Sequence, residues 1–182
     1  MNKDALVSMI DSVHAEWFAL IEQLGTDGLE VHDVVGTWRV RDVLGHCNCW
    51  DRWQLVQLRC AFTGETPTDP ELHGPITFPP NDDMSEDAMN AMFIAGYADR
   101  PTSDVVAHFR EVCAMRADWV RAASQDQLDS VIGSDWASGT NRVIRLASEV
   151  KRLSDPQPAW QFIRNQLDHL QGHLGDVGPV AT

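Results

Sequence analysis

Apolar residues return at every third or fourth position along most of this chain and nowhere alternate for long, a rhythm that packed helices bury and sheets do not. Leu6, Ile10, Val13, Trp17, Leu20 and Leu24 form the clearest stripe. Gly25 stands where a left-handed cap would end that helix, and Thr26 to Gly36 reads as a connector. A second helix is expected from near Trp38 to about Phe62, with Thr37 as its cap and Val43, His46, Cys49, Trp50, Trp53 and Val56 on its inner arc. Gly64 to Pro80, rich in Pro, Thr, Asp and Gly, reads as a long loop. A short helix around Asp83 to Ala98, starting near Ser85, follows it. Pro101-Thr102-Ser103 initiates a third long helix that turns Val105, Phe109, Val112, Trp119 and Ala123 inward. A further amphipathic helix fits Asn141 to Leu153. Beyond Pro156 and Pro158, the last helix runs to about Val177 on Ile163, Leu167, Leu170, Leu174 and Val177. The expected fold is all-α: a single domain over residues 1–182, with four main antiparallel helices and one or two short ones.

Composition narrows the class of partner. The formal charge is −13 with no clustered basic stripe, so the surface repels phosphate backbones and nucleic acid is not an expected partner. No apolar run approaches the roughly 18 residues of a membrane span. The N-terminus lacks the zones of a secretory signal, and the reading is a cytoplasmic protein with no membrane partner. Cys47, Cys49, Cys60 and Cys113 fit reduced thiols better than a disulfide framework.

The residues that carry chemistry are histidines. His169 and His173 lie four apart on the last helix, which places both imidazoles on one face where they can share an ion. His46 sits amid Val43, Cys49, Trp50 and Trp53 on the inner arc of the second helix, and a buried imidazole needs a hydrogen-bond partner or a metal. Inward histidines from two helices are how bundles build metal sites, and three neutral imidazoles leave a coordination position open.

The segment Trp38-Arg39-Val40-Arg41-Asp42-Val43-Leu44-Gly45-His46, with Trp50 after it, resembles the second-helix signature of the DinB-like (YfiT-like) superfamily. Asp168-His169-Leu170-Gln171-Gly172-His173-Leu174 resembles that family's His-x-x-x-His motif, and Asn90 and the stretch from Arg100 to Val106 resemble its middle. The resemblance covers nearly the whole chain. It implies a four-helix bundle in which His46, His169 and His173 bind a divalent metal, commonly zinc or nickel. It also implies a small-molecule substrate. Better-understood relatives are thiol-dependent transferases and isomerases using bacillithiol or mycothiol, and others are described as metal-dependent hydrolases. Arg39 departs from the Ser or Thr common after the tryptophan, which bears on the helix cap and not on the ligands.

Other residues are weighed against blander roles. Asp42, one turn before His46, is the candidate catalytic group, as an orienting acceptor or a base, although the helix dipole already accounts for an Asp in a first turn. Cys49 shares the face of His46 and is either a fourth ligand, a reactive thiol or, the favoured reading, a small core residue. Asp168 and Asp176 read as solvent-facing, and His14, His32, His73 and His108 as surface or loop. Three functional classes stay open: a metal-dependent thiol transferase or hydrolase, a non-catalytic metal- or small-molecule-binding bundle, and a metal-free bundle acting through its surface, for instance as a homodimer through the apolar face of the first helix.

Overall fold

The computed structural model describes residues 1–63, 65, 68, 71, 85–132 and 157–181, and among these the protein is all-α. The helices are α1 (Lys3–Leu29), α2 (Val40–Thr63), α3 (Glu86–Tyr97), α4 (Thr102–Ala122), α5 (Gln125–Asp129) and α6 (Ala159–Val177), with a closing 3-10 turn at Gly178–Ala181. Two-residue strands β1 (Val131–Ile132) and β2 (Gln157–Pro158) pair antiparallel and bring the start of α6 beside the end of α5. The expected helix at 141–153 and most of the expected loop at 64–80 lie outside the described residues.

The stripe of α1 buries Leu6, Ile10, Val13 and Trp17 in the chain's own core, so this face is not a free surface. Gly25 takes positive φ (60°) with a non-helical ψ (−172°), so the regular helix breaks there as expected, and a second short helical stretch is joined to it across the kink. After the kink one more turn forms, because Leu29 is buried and the Glu30 N–H donates to the carbonyls of Asp27 and Gly28. At α2 the expected cap moves. Trp38 and Val35 pair across a tight turn at Gly36 (φ 60°), which keeps Thr37 and Trp38 out of the helix. The helix opens instead behind Arg39, whose backbone N–H donates to the Asp42 carboxylate at 2.9 Å. This is the reach-back half of a capping box, made by an aspartate.

Paired side chains fix the helix directions. Arg41 meets Thr102, Arg52 meets Glu111 and Phe62 meets Trp119, in step, so α2 and α4 run parallel. Asp11 pairs with Arg121 and Glu22 with Arg110, in opposite order, so α1 and α4 run antiparallel. His46 lies against His169 and His173, while Arg116 binds both Asp51 and Gln166, which sets α6 against α2 in the opposite sense. The four long helices therefore form a four-helix arrangement with parallel as well as antiparallel neighbours, not the all-antiparallel bundle expected. The reason is connectivity: α3 packs on α2 and returns the chain to the same end before α4 begins.

The core is not wholly apolar. Arg116 on α4 has no exposure, forms an ion pair with Asp51 on α2, and donates to Gln166 on α6 and to His14 on α1. One guanidinium thus ties all four long helices together. His14, expected at the surface, is buried, because its ring is the neutral acceptor that this arginine requires.

Candidate metal centre

α2 and α6 are packed neighbours, and this is what converts two distant sequence motifs into one site. His46 projects from the second turn of α2, and His169 and His173 project from successive turns of α6. The Nε2 atoms of His46 and His169 stand 3.1 Å apart, and so do those of His169 and His173. One ligand nitrogen from each ring lies within 4.8 Å of the other two. Two nitrogens held about 2.05 Å from a tetrahedral ion stand roughly 3.3 Å apart, so this spacing suits a shared ion. The three residues can hold a metal. Among the described residues no fourth His, Cys, Asp or Glu joins the group.

His173 Nδ1 lies 2.9 Å from the Asp176 carboxylate, and donation to that oxygen leaves Nε2 of the neutral ring with a bare lone pair. His169 Nε2 faces both this lone pair and His46, and one proton on it cannot serve both contacts. A cation satisfies all three nitrogens at once. Asp176 was expected to be a surface residue. It is largely exposed, but it also fixes the tautomer of His173, and the i, i+3 spacing of the two residues is the signal that sequence reasoning passed over.

His46 is the buried member of the group, and its pKa is pushed down to about 3, first by burial and then by the charges of His169 and His173, with the Asn90 amide opposing. A neutral imidazole at physiological pH is the form that binds metal. Around it stand aromatic rings: Trp38 at 5.2 Å and Trp50 at 6.5 Å between centroids, with Phe93 5.3 Å beyond Trp50. Asn90 on α3 accepts from Trp50 Nε1 at 2.9 Å, which ties this wall to the site. The site is therefore a polar triad set beside an apolar wall. Comparison with family models, with curated proteins and with solved structures finds no match for this chain.

The remaining candidates fall elsewhere. Both oxygens of Asp42 are engaged by Arg39, at 3.0 Å from Nε and 3.0 Å from Nη2, and the carboxylate is not part of the histidine group. Its position is that of a helix cap and ion-pair partner. Cys49 is buried, burial pushes its thiol far above the usual range, and Tyr97 is its hydrogen-bonding neighbour; it is not a fourth ligand. All four cysteines are free and buried. Asp168 faces solvent and pairs loosely with Arg164 at 3.7 Å. His32 is exposed, His108 packs on Tyr97, and His73 lies outside the described residues.

Proposed function

We propose that this chain is a divalent-metal-dependent enzyme of the DinB-like superfamily, in which His46, His169 and His173 hold the ion and a small molecule is the substrate. The observation that carries this reading is the three-nitrogen group itself, with no fourth protein ligand among the described residues. Structural zinc sites are closed by four protein ligands, whereas catalytic ones keep a position open. The rival reading, a sequestering protein with Cys49 closing the shell, loses its main support because Cys49 lies outside the group.

When bound, a zinc- or nickel-type ion supplies the Lewis acidity that turns a water or a thiol into a nucleophile near neutral pH. The chain's own residues do the rest. Asp176 holds the His173 ring in orientation, and Asn90 acts on His46 from α3. Trp38, Trp50 and Phe93 offer an apolar flank to the body of a substrate. The surface charge of −13 disfavours polyanionic substrates.

Within this reading we favour thiol-dependent S-transfer, with a low-molecular-weight thiol such as bacillithiol or mycothiol as co-substrate, over hydrolysis. The support is the resemblance of the His46 and His169/His173 segments to thiol-dependent relatives; because every cysteine of the chain is buried, the sulfur nucleophile of such a transfer comes from an external thiol. Purified protein loaded with zinc or nickel is assayed on electrophilic small molecules with and without such thiols. Turnover that requires the thiol is expected. Equal turnover without it replaces transfer by hydrolysis, and no turnover with any substrate alongside stoichiometric metal returns the sequestering reading.

A further inference from the structure

The opposite edge of the bundle, between α1 and α4, carries a cavity of roughly 360 Å³. Ala15, Ala114 and Ala117 line it, and their small side chains leave the space that larger residues would fill. Phe18 walls it, and Arg110 and Arg121 stand at its rim. This volume falls within the range of small-ligand pockets, which are mostly apolar with a few placed polar groups.

The polar lining is His14, Arg110 and an Arg121–Asp11 ion pair, which together leave one net positive charge. His14 is only 6% exposed and lines the cavity. Arg116 donates to its Nε2 at 2.9 Å, so the neutral ring carries its proton on Nδ1. Arg110 stacks on Phe18 at 4.6 Å and makes one loose ion pair, 3.7 Å from Glu22. Arg121 is held more firmly, by Asp11 at 2.6 Å. An imidazole N–H, a guanidinium held by one loose ion pair, a net positive lining and an apolar wall suit a ligand that carries a negatively charged acceptor on a small hydrophobic body.

We infer that this cavity binds a small organic carboxylate, with its carboxylate between His14 and Arg110 and its apolar body against Phe18 and the three alanines. The site is separate from the histidine triad, since it lies between α1 and α4 and the triad lies between α2 and α6. Binding here supplies a place for an effector or a second substrate without any residue of the triad.

Phenylacetate is the probe, with the isosteric, uncharged phenylacetamide as control, titrated by calorimetry and by amide chemical shifts. Saturable phenylacetate binding is expected, with shifts at Ala15, Ala114 and Ala117 and at least tenfold weaker binding of the amide. Arg110→Gln, at an exposed position, is expected to weaken binding about tenfold, and Ala114→Phe, which fills the mouth from the solvent side, to abolish it. The triad variant His46→Ala should bind as the wild type does. Equal binding of acid and amide, wild-type affinity in Arg110→Gln and Ala114→Phe, or no saturation up to the solubility of the probe would overturn the inference. Loss of binding in His46→Ala with retention in Arg110→Gln would also overturn it, by placing the carboxylate on the triad.

Discussion

Two histidines with similarly low pKa values do different work in this protein. His46 faces other ring nitrogens, whereas His14 accepts a hydrogen bond from Arg116 and its pKa is pushed down to about 3, mainly by burial and then by Arg116 and Arg121. The native protein holds His14 neutral where the unfolded chain, near pH 6.5, takes up a proton. The unfolded state therefore binds more protons between about pH 3 and 6.5, and stability rises with pH across that window. Its contribution is full above 6.5 and is lost on acidification, by up to about 1.4 kcal/mol per pH unit. His14→Gln keeps an acceptor for Arg116 and cannot titrate, so its urea stability is expected to fall less steeply than wild type between pH 6.5 and 4.5. A slope equal to wild type would show that His14 is not the group responsible. Asp176 works at the same scale. Asp176→Asn is expected to lower metal affinity by about 10–100-fold, as loss of a ligand-orienting carboxylate generally does, in a competition titration with a chelator. Unchanged affinity would mean that His173 needs no orientation.

At the scale of elements, the three histidines that come together were legible before the fold was. The His169/His173 spacing and the apolar setting of His46 are local patterns, and helix periodicity reads local patterns well. For the same reason α6 ends at Val177 as expected and α3 begins after Ser85, whose hydroxyl caps it. What periodicity missed is what neighbours decide. Arg116 lies on the inward stripe of α4 beside Val112 and Val120, yet an arginine there reads as a surface residue until Asp51, Gln166 and His14 arrive from three other helices. The directions of α2 and α4 were misjudged because they depend on the return through α3. Two variants test this packing. Asp51→Ala leaves the Arg116 charge buried without its partner and is expected to cost about 3–5 kcal/mol in urea unfolding. Gly45→Ala places a methyl 2.9 Å from the Tyr97 ring, where α2 and α3 meet, and is expected to cost about 1–3 kcal/mol by overpacking. A neutral outcome for either would show that α2 is held less tightly than its burial implies.

Across the whole molecule, the bundle separates what holds it together from what it presents. The interior is tied by Arg116, while the triad opens on one edge and the α1/α4 cavity on another. Among the described residues no helix is long and apolar enough to cross a membrane. The triad needs α2 and α6 docked, so an ion binds the native state and not the unfolded one. Free metal at 100 times the dissociation constant should then raise stability by about 2.7 kcal/mol, an increment that a chelator removes. The direct test of the central claim is the metal content of untagged protein, compared with His46→Ala and with the His169→Ala/His173→Ala double variant. About one divalent ion per chain, lost in both variants, is the predicted result. Protein without metal in every form, even after reconstitution, or metal retained in the variants, would contradict it.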